Sequence, residues 1–247
     1  MSRKALVTGG SRGIGAGIVR ELAANGISVT VAARKSDSLE NLMQELPGDK
    51  HTSYEIDLQS ENEIRPFLQY VQNKEFDIVV NNAGGNLGIT NPLDDYQSFK
   101  KVLGFNLGLA VDINACVLPG MINRKWGRIT HISSISALEN QGPPQYCAAK
   151  AALNAYIRSV GRFVAADGVV VTGVMPGAVM TAGGYWDEVL QERPDHARKF
   201  LTERMAIKRF GKPEEISALV AFLVSDDSSF MTGSIVLADG GQGRSFQ

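Results

Sequence analysis

Lys4-Ala5-Leu6-Val7-Thr8-Gly9-Gly10-Ser11-Arg12-Gly13-Ile14-Gly15 decides how this chain is read, because a short apolar run ends in a glycine-rich turn and a helical pattern follows at once. Apolar residues recur at helical spacing through 14–24 until Asn25-Gly26 stops them, so the segment predicts a strand, a tight turn and a helix. Glycines in such a turn let the backbone approach a pyrophosphate at the helix N-terminus, where free amides and the helix dipole favour negative charge. A glycine-rich turn alone is equally a flexible connection. Its place between strand and helix makes Gly9, Ser11, Arg12, Gly13, Ile14 and Gly15 a dinucleotide-binding candidate.

The same alternation continues outward from that unit. Further strands are expected at 28–33, 51–56, 77–80, 127–132, 169–174 and 234–237, with helices at 37–45, 61–73, 95–103, 106–123, 146–166 and 213–223. Residues 77–80 are short and apolar after Asp77, as a central parallel strand covered on both faces requires. Strands alternating with helices argue for one parallel sheet with helices on both faces. No repeat, linker or composition break divides the chain, so residues 1–247 are expected to form one domain. Gly183-Gly184 precedes a charged, helix-compatible stretch containing Trp186 and Phe200, and residues 181–209 are expected to form a substrate lid.

The composition limits the classes of function. The chain has 247 residues, 44% of them hydrophobic and 21% charged, enough to bury a sizeable core. A net charge of -1 without a dense basic run argues against a nucleic-acid partner bound by phosphate neutralisation. Two cysteines, Cys116 and Cys147, and 3 histidines suggest neither a disulfide framework nor a metal site, and a cytoplasmic location is expected. The first residues lead straight into a strand, and no run of about 18 apolar residues occurs, so no membrane role is expected.

The ends of the later strands carry the remaining chemistry. An acid at the end of the second strand would favour NAD by bonding the ribose 2′-hydroxyl; the residues there are Ala33 and Arg34. Arg34, with Arg12 and Ser11, suits a 2′-phosphate, so NADPH/NADP+ is the favoured cofactor and NADH/NAD+ the alternative. The competing reading is two solvated arginines. Asp57, followed by Leu58, either bonds an adenine amino group or caps the next helix. Asn82, Ala83 and Gly84 lie at the carboxyl edge where ligands bind, and Asn82 is equally suited to holding the turn. Tyr146 and Lys150 are four apart and share a helix face. A phenol ordinarily titrates near about 10, and a neighbouring ammonium that stabilises phenolate would bring it towards neutrality as an acid and base. Ser134, just beyond a strand, is placed to bind a carbonyl oxygen.

Together these motifs closely resemble the classical short-chain dehydrogenase/reductase family, particularly members similar to 3-oxoacyl-carrier-protein reductases. The resemblance runs from Lys4 to Gly241. It rests on Thr8, Gly9, Gly13 and Gly15, the Asn81-Asn82-Ala83-Gly84 turn, Asn106, Ser134, Tyr146 with Lys150, Pro176-Gly177 followed by Val179 and Thr181, and Asp239-Gly240-Gly241. Ser134 lies 12 residues before Tyr146, one fewer than is common in the family, so Ser133 also competes for its role. Counting forward from Gly127-Arg128-Ile129 favours Ser134.

The resemblance implies a Rossmann-type, doubly wound α/β sheet of about seven strands and an NADP-dependent oxidoreductase acting on CH-OH/C=O groups. By that resemblance Tyr146 protonates a carbonyl whose carbon receives the pro-S hydride, and Ser134 holds the substrate oxygen. Lys150 bonds the nicotinamide ribose and promotes Tyr146 ionisation, Asn106 holds a water linking Lys150 to solvent, and Pro176, Gly177, Val179 and Thr181 approach the nicotinamide. The implied assembly is a homotetramer. The small-molecule carbonyl or alcohol substrate stays open between acyl-thioester, sugar-like and secondary-metabolite ketones. Glu139, Asn140 and Gln141 suit a polyol or face water; Tyr185, Trp186 and Val189 either contact substrate or pack against the body. NAD-dependent alcohol oxidation and a nucleotide-binding scaffold are the rival functions.

Overall fold

Lys4–Thr8 forms β1, and burial of Ala5 to Thr8 on both faces explains why its sequence does not alternate. The computed structural model describes residues 2–245. Gly13–Ala24 (α1) follows β1, then Ser28–Ala33 (β2), Asp37–Glu45 (α2), Thr52–Glu55 (β3), Glu61–Asn73 (α3) and Ile78–Asn81 (β4). The second half adds Tyr96–Leu103 (α4), Leu109–Asn123 (α5), Gly127–Ile132 (β5), Pro144–Val164 (α6), Val169–Pro176 (β6), Tyr185–Glu192 (α7), Pro194–Arg204 (α8), Pro213–Leu223 (α9) and Ile235–Ala238 (β7).

The seven strands make one parallel sheet in the order β3-β2-β1-β4-β5-β6-β7. The expected doubly wound fold is therefore present. Ile18, Val19 and Leu22 of α1 pack with Leu39, Leu42, Ile216 and Val220 on one face; Phe67, Val71, Ile113, Met121, Leu153 and Ile157 fill the other. The winding direction reverses between β1 and β4, and the carboxyl ends of these two strands open a crevice, the place where such sheets bind ligands.

Several boundaries move for identifiable reasons. β6 continues to Pro176, whose missing N–H is tolerated at the last position of the strand. β4 is displaced by one residue, so Asn81 is in the strand and pairs with His131 in register. The helices expected at 95–103 and 106–123 are joined by a π turn, Gly104–Gly108, into one helical run, Tyr96–Asn123. By length and composition that run is long and apolar enough to cross a membrane; here Ile113, Val117 and Met121 bury it against the sheet.

Candidate active site

The glycine turn is shaped by contacts rather than by looseness. Gly9 and Gly13 take φ of +64° and +56°, and a Cβ on Gly15 would lie 2.3 Å from the Gly9 carbonyl oxygen and 2.6 Å from Asn82 Nδ2. Asn82 Nδ2 donates to the carbonyls of Thr8 (2.9 Å) and Gly9 (3.0 Å), while the N–H groups of Asn82 and Ala83 donate to Thr8 Oγ1 at 3.0 and 3.1 Å. The turn-holding reading of Asn82 is the one its side chain displays.

These segments line a cleft of about 520 Å³. Gly9, Ser11, Arg12, Gly13, Ile14 and Gly15 form one wall, Asn82, Ala83 and Gly84 another, and Asp57 and Leu58 a third. Arg34 and Arg12 are exposed at its rim, with no acid where β2 ends. Thr181 reaches the cleft. Asp57 does not cap α3, whose N-cap is Ser60; its carboxylate accepts the Gln59 N–H at 3.0 Å, and Glu63 accepts its own N–H. Pro176 and Gly177 instead face the C-terminal turn: a Cβ on Gly177 would meet Gln242 and Asp239. Val179 bridges to Gly211 and lines a separate cavity of about 280 Å³.

Asn106, Ser134, Tyr146 and Lys150 converge behind Gly84. Lys150 is buried and donates from Nζ to the Ile132 carbonyl at 2.8 Å, and a Cβ on Gly84 would lie 3.0 Å from this Nζ and 2.8 Å from Asn106 Oδ1. Asn106 sits in the π turn, where its Nδ2 donates to the carbonyls of Gly85 (2.7 Å) and Val102 (2.8 Å) and its Oδ1 accepts the Gly85 N–H (3.0 Å). Its amide hydrogens are occupied. The side chain therefore pins the strand-end turn, and contact with a water falls to its remaining lone pair or its main chain.

Tyr146 follows the α6 N-terminus, and Lys150 Nζ lies 5.7 Å from its ring centroid. Burial pushes the phenol above its ordinary range and the Ser134 hydroxyl pulls it back down. This differs from the expected depression by Lys150. The dehydrated Lys150 is itself brought down to about 7, which weakens its hold on a phenolate. Ser133 donates to Asn154 Oδ1 at 2.7 Å and is buried, whereas Ser134 is half-buried next to Tyr146.

A polar network beneath this site escaped the sequence reading. Asn114 accepts from Asn81 Nδ2 at 3.1 Å and donates towards His131 Nε2 (3.2 Å) and the Tyr156 hydroxyl (3.1 Å). Burial, then the nearby Lys150, lowers His131 to about 3, so it is neutral and accepts through Nε2. The only sequence signal was a histidine within a central strand, Gly127–Ile132. Cys147 donates to the Gly142 carbonyl, consistent with a packing role.

In the stretch expected to form the lid, Trp186 packs on Phe200 and on Phe210 just beyond it, with ring centroids 4.1 and 4.9 Å away, and Val189 is buried, while Tyr185 is exposed. Gly183, at φ +62°, donates its N–H to Asp187, forming an ordered turn into α7.

The family model described as enoyl-(acyl carrier protein) reductase matches residues 9–242. A Pseudomonas aeruginosa 3-oxoacyl-[acyl-carrier-protein] reductase is 34% identical over 245 residues, covering 96% of each chain. Among solved structures, an Agrobacterium tumefaciens 3-oxoacyl (acyl-carrier-protein) reductase with NADP bound is 33% identical, with a TM-score of 0.88 over 97% of this chain and 93% of that one. A Gluconobacter frateurii L-sorbose reductase complexed with NADPH and L-sorbose is 26% identical, with a TM-score of 0.89 over 99% of this chain and 98% of that one. With a family model spanning most of its length and relatives matched from end to end, the chain belongs to the short-chain dehydrogenase/reductase family of oxidoreductases.

Proposed function

We propose that this protein is an NADPH-dependent ketone reductase that forms a secondary alcohol, with Tyr146 as the general acid. The observation that carries this reading is the convergence of Ser134, Tyr146, Lys150 and Asn106 against Gly84, beside a cleft whose glycine wall has no room for a Cβ at Gly15. That wall fits a dinucleotide: Gly9, Gly13 and Gly15 leave backbone for a pyrophosphate at the α1 N-terminus, and the exposed Arg12 and Arg34 suit a 2′-phosphate. The two relatives with NADP or NADPH in their structures support the same cofactor. When bound, the reduced nicotinamide supplies the hydride.

The chain's own residues supply the remainder. Ser134 directs its hydroxyl to the substrate carbonyl oxygen and stabilises the charge that develops there. Tyr146, kept protonated by burial, donates its phenolic proton to that oxygen as the bond to carbon forms. Lys150, fixed by the Ile132 carbonyl, would bond the ribose of a bound cofactor, and in its charged form it offers positive charge to the phenolate left after transfer. Asn106 holds the Gly84–Gly85 backbone against Lys150 and links it to solvent for reprotonation. Thr181, which lines the cleft, would border the nicotinamide end, and residues 181–209 form the lid. The enzyme acts in the cytoplasm as a homotetramer on a small carbonyl substrate.

Turnover with NADPH and a ketone panel, compared between wild type and Tyr146→Phe, tests the reading. The phenylalanine variant keeps NADPH affinity and loses at least about 100-fold in turnover. Unchanged turnover contradicts the assignment of Tyr146.

A further inference from the structure

The C-terminal tail is tied to the catalytic side of the molecule by a chain of hydrogen bonds that the reaction itself does not use. Glu139 is at its centre. One carboxylate oxygen of Glu139 accepts the N–H groups of Arg244 and Ser245, the latter at 2.8 Å, and the other accepts Gln141 Nε2 at 2.7 Å. Gln141 Oε1 in turn accepts Gln242 Nε2, and buried Gln242 accepts the Ala178 N–H at 2.7 Å. From the same tail, Arg244 Nη2 donates to the Glu203 carbonyl at 2.7 Å, near the end of α8. One continuous set of contacts therefore joins the segment after β6, the loop before α6 and the lid.

The route from Glu139 to Tyr146 is short. Ser136 donates to the Gln141 carbonyl at 3.3 Å, and a Cβ on Gly142 would lie 3.3 Å from Tyr146 Cδ1, so residues 139–142 border the site beside the catalytic ring. Ile135 and Ala137 lie between Glu139 and Ser134 in a short 3-10 turn, and Glu139 N–H closes that turn on the Ile135 carbonyl at 3.1 Å. The bonds received by Glu139 are charge-assisted and stronger than neutral ones. The Arg244 N–H and then the Gln141 amide hold its carboxyl below the ordinary range, keeping it an acceptor at neutral pH.

We propose that Glu139 is a positioning residue for the substrate side: its carboxylate gathers residues 242–245, and Arg244 then holds α8 of the lid against the loop that leads into Tyr146. The proposal rests on the reading of residues 181–209 as the lid. Its consequence is that lid order and the placement of the ketone vary together, while cofactor binding, which uses the glycine turn after β1, does not.

Trp186 provides a readout that is independent of activity. It sits in the lid, and the second tryptophan, Trp126, is packed by Arg3 and Arg128 before β5, at the other end of the sheet. Acrylamide quenching of tryptophan fluorescence, together with steady-state kinetics on ethyl acetoacetate and on a ketohexose, is compared in wild type, Glu139→Ala, Glu139→Gln and Arg244→Ala. In Glu139→Ala the ketone KM rises about 5-fold or more, kcat and NADPH affinity change less than about twofold, and Trp186 becomes more quenchable. Glu139→Gln, which retains an acceptor for the tail N–H groups, falls between wild type and alanine, and Arg244→Ala reproduces the quenching change. Unaltered KM and quenching in Glu139→Ala overturn the proposal, as does a parallel loss of kcat, NADPH affinity and melting temperature. If wild type reduces neither ketone, the ketone-reductase reading fails on that result, and the quenching series still decides whether Glu139 holds the lid.

Discussion

The glycine-lined cleft and the stretch that follows Thr181 are built in different ways. On the cofactor side, geometry is set by missing atoms: a Cβ on Gly15 or Gly84 would collide with a carbonyl oxygen, a buried amide or the Lys150 ammonium. On the substrate side it is set by added ones, an aromatic cluster around Trp186 and a tail gathered by Glu139. Steric exclusion tolerates almost no substitution, whereas a cluster of half-exposed side chains loosens by degrees. The first region is thus rigid and common to many nucleotide-binding proteins, and the second is free to differ in a protein that selects its own ketone.

The strongest way to break the comparison is Lys150→Met. Turnover falls by at least about 100-fold, yet folding stability near neutrality rises. The sign follows from the titration: burial lowers Lys150 from 10.5 to about 7, so between these values the unfolded chain binds more protons than the folded one and wild-type stability grows with pH. The melting-temperature advantage of the methionine variant is therefore largest at and below about pH 7 and shrinks as pH approaches 10.5. A gap that widens with pH contradicts a dehydrated ammonium.

Gly84→Ala comes next. Its methyl would sit 2.8 Å from Asn106 Oδ1 and 3.0 Å from Lys150 Nζ, two groups already held by Gly85, Val102 and Ile132. Displacing them lowers kcat by about 10- to 100-fold with the circular dichroism spectrum unchanged. Wild-type kinetics in this variant show that the Gly84 contact carries no catalytic constraint.

The smallest effect belongs to the proposed lid. Trp186→Ala removes the ring that Phe200 and Phe210 pack on, raising the ketone KM about 3-fold and leaving NADPH affinity within about twofold. An equal loss of cofactor affinity in titration shows that the two regions are not independent.

What the sequence made legible follows the same division. The order of strands and helices, and the placement of Gly9 to Gly15, Gly84, Ser134, Tyr146 and Lys150, were readable because local periodicity and fixed spacing record them. The π turn at Gly104–Gly108 was not, since a change of hydrogen-bond partner by one residue leaves little mark on composition. Asp57 was ambiguous until Ser60 proved to be the cap. The buried network of Asn81, Asn114, His131 and Tyr156 and the pairing of Glu139 with Arg244 and Ser245 join residues distant in sequence, and one sequence carries no record of such pairs. The electrostatics of Tyr146 depend on a related kind of information. Helical spacing reveals that Lys150 is near, but only burial shows that both groups are dehydrated.

The most direct test of an NADPH-dependent cofactor wall is a parallel fluorescence titration of wild type and Arg34→Ala with NADPH and NADH. The account predicts that wild type binds NADPH at least about 10-fold more tightly and that Arg34→Ala removes most of this preference without weakening NADH. Equal affinities in wild type, or an equal loss for both cofactors in the variant, would contradict it.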